Sequence, residues 1–208
     1  MCTRPVKSPD AAVVSSRYET TWGTGWVSVS GGLLVGVELP GAAAPATAAV
    51  PAASCARALG TVEPEMAPAA DQAALDAAAR DAAALERWVR ELEAYFRGER
   101  LGWSGDDVSL DGLALGPFEQ AVYRTLLSIP PAVTVSYGTV AELSGYPRAA
   151  RAVGNAMAAN PIPVVVPCHR VIRADGSLGN YGDDPAWKER LLAHERAHAP
   201  AAGTEEEP

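Results

Sequence analysis

Metal and disulfide chemistry have little to work with in this 208-residue chain, which holds three cysteines (Cys2, Cys55, Cys168) and three histidines (His169, His194, His198). An odd number of thiols at wide, irregular spacing excludes a disulfide framework and fits a reducing compartment. Neither CxxC nor HExxH occurs, so no metal site and no cofactor are expected. Long apolar runs are also missing. None approaches the ~18 residues of a membrane span, and the N-terminus lacks the basic-then-apolar pattern of a secretory signal. The expectation is a soluble, cytoplasmic protein with no membrane partner.

Hydrophobic residues make up 48% of the chain, but alanine inflates that figure. The net charge of −8 argues against a nucleic-acid partner until its distribution is considered. Residues 118–198 carry a net +1, and the remainder −9. Between Tyr137 and Arg173 stand four arginines (Arg148, Arg151, Arg170, Arg173) against Glu142 alone. A small basic face on an acidic protein is compatible with salt-sensitive DNA affinity.

Residues 1–16, rich in Ser and Pro, read as a disordered leader. Between Tyr18 and Pro40 the alternation of Gly25-Trp26-Val27-Ser28-Val29, the turn Ser30-Gly31-Gly32 and a second alternating run predict a β-hairpin. Residues 41–70 are Ala/Pro-rich without periodicity and read as an insertion. Asp71 to Arg97 is the clearest helix: Leu85, Trp88, Val89, Leu92, Tyr95 and Phe96 recur at helical spacing, and Gly98 is placed to stop it. A short strand is expected over 108–115, and Gly116-Pro117 marks the domain boundary. Beyond it, helices are expected over 118–128, from 140, and over 148–159. The last two flank Ser144-Gly145-Tyr146-Pro147, which matches a helix-turn-helix. The second helix leaves little side-chain bulk between Arg148 and Arg151, so it can approach a narrow groove closely. Small residues equally permit tight packing in a core. Residues 199–208 read as a disordered acidic tail.

The most informative segment is Pro167-Cys168-His169-Arg170-Val171, which follows the apolar run Ile162-Pro163-Val164-Val165-Val166. A thiol is a strong nucleophile only as thiolate, and a nearby His with an anionic partner can move the proton balance that way. The dipeptide alone fits any cysteine enzyme.

With Val135-Ser136-Tyr137, Arg148 to Gly154, Asn160-Pro161-Ile162-Pro163, Pro167 to Val171, Gly179-Asn180-Tyr181-Gly182 and Leu191 to Glu195 in this order, residues 116–198 resemble the O6-alkylguanine-DNA alkyltransferases, or methylated-DNA–protein-cysteine methyltransferases. The resemblance implies an α/β N-terminal domain (17–115), similar to ribonuclease H, and a mostly α C-terminal domain (116–198) with a helix-turn-helix. It also implies a monomer that binds the minor groove of double-stranded DNA containing O6-alkylguanine, with O4-alkylthymine a further possible substrate. The base is flipped out, and its alkyl group passes irreversibly to the protein's own cysteine, once per molecule. By the same resemblance Cys168 is the acceptor and His169 the base, acting through a water and polarised by Glu195. Asn160 is the hinge to the recognition helix. Arg151 is the finger that enters the base stack, with Arg148, Ala149 and Ala150 beside it on the DNA. Tyr137 meets the flipped guanine and its flanking phosphate, and Tyr181 and Gly182 lie toward O6. The carbonyls of Cys168 and Val171 take the exocyclic amine. Arg170 is expected in salt bridges under the site, and Lys188 is expected to order the active-site loop.

Two positions depart from that pattern. Gly182 stands where some members carry Ser, leaving only a backbone N–H. Ala158-Ala159 lack a basic residue that some members have after the Met of the recognition helix. A lesion binder lacking the nucleophile is the alternative, disfavoured by the presence of Cys168. A Cys-His hydrolase would leave Arg151 and Asn160 without a role, and a methylation-sensing regulator would need a four-cysteine zinc domain.

Overall fold

The computed structural model describes residues 12–42, 69–179, 181–182, 184 and 186–199. The chain divides into two compact units. Of the described residues, one unit contains those up to Phe96 with Asp111–Ala114, and the other contains Arg97–Leu110 with those from Leu115 onward. The boundary expected at Gly116 is therefore only the chain's second entry into the C-terminal unit. Residues 97–110 already belong there, and the Leu101 carbonyl accepts a hydrogen bond from Arg170.

The N-terminal unit is a small antiparallel sheet carrying one long helix. Strands β1 (Val14–Thr20), β2 (Gly23–Ser30) and β3 (Leu33–Glu38) run in the order β1-β2-β3. The expected hairpin is β2–β3, and β1 is an addition. Val14–Ser16, assigned by sequence to the disordered leader, pair with Val27–Val29, and Ser15 and Ser28 share a hydroxyl hydrogen bond of 2.7 Å. Short serines hide this strand from a hydrophobic pattern. Gly25 is required by close approach, because a Cβ there would stand 2.2 Å from the ring of buried Tyr18. Helix α1 (Ala69–Phe96) covers the sheet with Trp88, Leu92, Tyr95 and Phe96, all buried. Phe96 stacks on Tyr18 at 6.0 Å. Each such side chain contributes roughly 1.5–3 kcal/mol of burial. Asp81 accepts from the N–H of Gly32, tying α1 to the β2–β3 turn. Gly98, at φ +76°, ends the helix in the left-handed conformation that glycine tolerates.

The strand expected over 108–115 does not form. Asp111 and Gly112 make a turn in its middle, so the alternation of buried Val108, exposed Ser109 and buried Leu110 stops there. The insertion expected at 41–70 lies almost wholly outside the described residues, apart from 41–42 and the first residues of α1. The tail lies outside them beyond Ala199.

The C-terminal unit is mainly helical. Helix α2 (Pro117–Leu127) starts with proline in its first turn, and Glu119 reaches back to the N–H of Gly116 at 2.7 Å. Strand β4 (Val135–Ser136) leads directly into α3 (Tyr137–Leu143), capped by the Ser136 hydroxyl on the N–H of Thr139. Thus α3 starts three residues before the expected position. Helix α4 (Ala150–Ala158) starts two residues later than expected, because Arg148 has φ +70° and belongs to the preceding turn. A 3-10 turn (Cys168–Arg170) leads into β5 (Val171–Ile172), which pairs in parallel with β4. Helix α5 (Ala186–His198) completes the unit. No described helix is long and apolar enough to cross a membrane.

Candidate active site

The site grows from the apolar run before Cys168. Ile162, Val164, Val165 and Val166 are all fully buried. The run folds into a turn closed by Val166 N–H on the Ile162 carbonyl at 2.9 Å, with Val164 at φ +73°. A β-branched residue there is strained by about 1–3 kcal/mol. Burial of four aliphatic side chains outweighs that cost. The turn delivers Cys168, whose N–H reaches the Val166 carbonyl at 2.8 Å, onto the 3-10 turn.

Asn160 locks this geometry from the end of α4. Its Nδ2 donates to the Val166 carbonyl at 3.0 Å and to Cys168 Sγ at 3.2 Å, while its Oδ1 accepts from Ile162 N–H at 3.1 Å. One amide therefore ties the helix to the nucleophile. Tyr181 Oη lies 3.8 Å from Sγ. Its hydroxyl can accept from the thiol or donate to the thiolate. Burial pushes the Cys168 thiol up, and the hydrogen bonds of Asn160 and Tyr181 and the charge of Lys188 only partly offset this. The resting group is the thiol, and its neighbours lessen without cancelling the cost of forming the thiolate.

His169 is fully buried, and its Nε2 meets Glu195 Oε1 at 2.7 Å. Burial raises the Glu195 carboxyl, but hydrogen bonds and charge from His169 and Arg170 prevail and hold it at about 2. Burial lowers His169 more than Glu195 raises it, with Arg170 and Lys188 adding to the fall. The pair is therefore neutral imidazole and carboxylate. An ionised carboxylate only accepts, so the imidazole proton sits on Nε2. This leaves a lone pair on Nδ1, which is buried with no hydrogen-bond partner among the described residues. The ring is thus set as a base.

Arg170 neutralises the carboxylate. Its Nε lies 3.1 Å from Oε2 and its NH2 2.8 Å from Oε1. The remaining donors reach the carbonyls of Ile129 and Leu101. Lys188, also buried, donates to the Val171 carbonyl and lies 5.8 Å from the Tyr137 ring centroid. Sequence reasoning missed one member. The N–H of Ala132 donates to Glu195 Oε2 at 2.8 Å, from a residue at φ +62°. A backbone donor has no sequence signature, although Pro130-Pro131 before it marks an irregular turn.

The other expected residues surround this centre. Tyr137 opens α3, half-buried, its hydroxyl raised first by burial and then by Cys168. Val171 is fully buried and follows the 3-10 turn. Gly182 sits at φ +51° in open space. On α4, Val153 and Ala156 face inward, and Tyr123 Oη holds the Ala156 carbonyl at 2.9 Å. Arg151, Ala152 and Asn155 are exposed, as is Arg148 in the turn, while Ala149 and Ala150 are partly covered. The small-residue surface of α4 therefore faces solvent, as a docking face requires, and the core uses only Val153 and Ala156. No cluster of three metal-ligating side chains occurs among the described residues.

Fold and site together define a two-unit protein whose helical unit holds a buried thiol next in sequence to a buried His–Glu pair, beside an exposed helix of small residues and arginine. The family model of the DNA-binding domain of 6-O-methylguanine DNA methyltransferase matches residues 117–197. A methylated-DNA–protein-cysteine methyltransferase of Mycolicibacterium paratuberculosis is 50% identical over 116 residues, 56% of this chain and 68% of the relative. The crystal structure of Mycobacterium tuberculosis O6-methylguanine methyltransferase superposes with a TM-score of 0.63 at 34% identity, covering 91% of this chain and 96% of the other. The Mycobacterium tuberculosis OGT structure in complex with DNA gives 0.63 at 33%, covering 90% and 96%. The chain belongs to the methylated-DNA–protein-cysteine methyltransferase family.

Proposed function

We propose that this protein repairs alkylated DNA by moving the alkyl group of O6-alkylguanine onto its own Cys168, once per molecule, as a cytoplasmic monomer. One observation carries the reading: a single 3-10 turn joins a Cys168 thiol, gripped by Asn160, to a buried neutral His169 whose proton faces Glu195. Helices α3 and α4 act as a helix-turn-helix on the minor groove, with Arg151 filling the stack vacated by the flipped base and Arg148, Ala149 and Ala150 along the backbone. The sheet unit serves as a ribonuclease H-like N-terminal domain.

In the transfer, the Cys168 proton passes through a water to His169 Nδ1, and Glu195 with Arg170 stabilises the imidazolium that forms. The thiolate attacks the alkyl carbon, a C–S bond forms, and the C–O6 bond breaks with its electron pair leaving on the guanine. Tyr181 donates a hydrogen bond toward O6 as charge develops there, together with the backbone N–H of Gly182. Tyr137 rotates the flanking phosphate, and the carbonyls of Cys168 and Val171 hold the exocyclic amine. A thioether offers water no route to release, so the reaction stops after one turnover.

Intact-protein mass spectrometry after incubation with an O6-methylguanine duplex tests this. The expected result is a gain of about 14 Da on Cys168 and a plateau at one methyl per molecule. Cys168→Ala should show no gain. Consumption of substrate well beyond the protein would overturn the stoichiometry. Tight duplex binding by wild type without any adduct would point to the lesion-binder alternative.

A further inference from the structure

Beside the reacting centre lies a cation that the chemistry above does not use. Arg173 follows β5, in a short loop held tightly by its own hydrogen bonds. Its N–H donates to the Ser177 carbonyl at 2.9 Å, and Gly176 N–H returns to the Arg173 carbonyl at 3.0 Å. Asp175 Oδ1 accepts from both the N–H and the hydroxyl of Ser177, at 2.9 and 2.7 Å. Asp175 is thus engaged first with Ser177, and the nearby Arg173 charge also lowers its carboxyl without a direct ion pair. The exposed Arg173 guanidinium makes one weak side-chain bond, NH1 to Ser177 Oγ at 3.3 Å, and joins no ion pair among the described residues.

Gly179 shows where this guanidinium stands. A Cβ there would lie 3.4 Å from Tyr137 Oη on one side and 3.7 Å from Arg173 Nε on the other. Gly179 has φ +73°, a conformation that side-chain-bearing residues rarely adopt, so the space between Tyr137 and Arg173 is left to glycine. The Arg173 charge is felt across it, drawing the Tyr137 hydroxyl downward against the larger effect of burial. Two donors, a phenol and a guanidinium, therefore approach each other at Gly179. A phosphate group offers two non-bridging oxygens to such a pair, and Arg is the side chain best suited to grip them. The small-residue helix, by contrast, carries exposed Ala158 and Ala159 and no cation after Arg151.

We infer that Arg173, with Tyr137 across Gly179, binds the backbone phosphate beside the target nucleotide and supplies from the β5 loop the cation that α4 lacks. The inference rests on the DNA-repair reading for its ligand, and its test is built to fail separately. Binding of undamaged duplex is measured against salt for wild type, Arg173→Ala and Arg173→Lys. Reaction rates are measured with an O6-methylguanine duplex and with free O6-benzylguanine. Arg173→Ala should flatten the slope of log affinity against log salt by about one, and Arg173→Lys should largely keep it. The Ala variant should lose about tenfold more rate on duplex than on free base. An unchanged salt slope, or equal losses on duplex and free base, overturns the assignment. Because the binding arm needs no lesion, a wild-type protein that accepts no methyl group would overturn the transfer chemistry and leave the Arg173 measurement standing. The position is exposed, so folding of the variants is checked simply by coincident melting curves.

Discussion

The two units bury different kinds of side chain. Among the described residues, the polar groups buried in the N-terminal unit are three serines, Ser15, Ser28 and Ser30, and its centre is aromatic and aliphatic. The C-terminal unit buries His169, Arg170, Lys188, His194 and Glu195 alongside its valines and leucines. Buried charge is costly unless every member is paired, and replacing such a cluster by apolar residues is often neutral or stabilising. Its presence in one unit and absence from the other separates a part selected for packing from a part selected for a protonation state.

Three experiments would break or sharpen that contrast. The largest effect should come from Glu195→Ala, which leaves Arg170 buried without its anion. Chemical denaturation should show a loss of about 3–5 kcal/mol, together with loss of methyl transfer. A loss under 1 kcal/mol would mean that the network contributes little to the fold. Next, Leu92→Ala in α1 should cost about 3 kcal/mol through the cavity it opens. The rate of transfer by the folded fraction should stay near that of wild type, and a parallel fall in rate would erase the division of labour.

The smallest effect should come from mild acid, and it should be selective. Glu195 is held at about 2 in the folded chain, below its ordinary value, so its stabilisation is present above the unfolded pKa and lost as pH falls toward 2. His169 is lowered by burial, so the unfolded chain binds its proton more readily, and stability falls as pH drops below the ordinary histidine range. In the N-terminal unit Glu38 is raised by burial, which gives the opposite sign. Amide protection factors, corrected for the intrinsic rate at each pH, should therefore fall first in α5 and the Cys168–Arg170 turn between pH 7 and pH 4, before the β1–β3 sheet. Uniform loss of protection would contradict the sign argument.

Several features were legible in the chain because they are local. The stripe from Leu85 to Phe96 announced α1, and Val122, Leu126 and Leu127 announced α2. Strand β1 escaped because its serines gain their burial only opposite β2. The expected strand at 108–115 failed because the alternation of Val108 and Leu110 is cut by the turn at Asp111-Gly112 and has no paired partner strand among the described residues.

What the sequence determined by itself was therefore the chemistry available: a thiol, an imidazole and a carboxylate in order, and a helix without bulk between its arginines. Only the tertiary structure decided the state in which those groups stand. Glu195 is ionised because His169, 26 residues before it, and Arg170 converge on it, while the Ala132 N–H, 63 residues away, adds a further hydrogen bond. Arg170 is itself held by carbonyls 41 and 69 residues away. His169 is neutral because the fold removes it from water. Protonation depends on what surrounds a group in space, and residues that far apart in the chain meet only after folding.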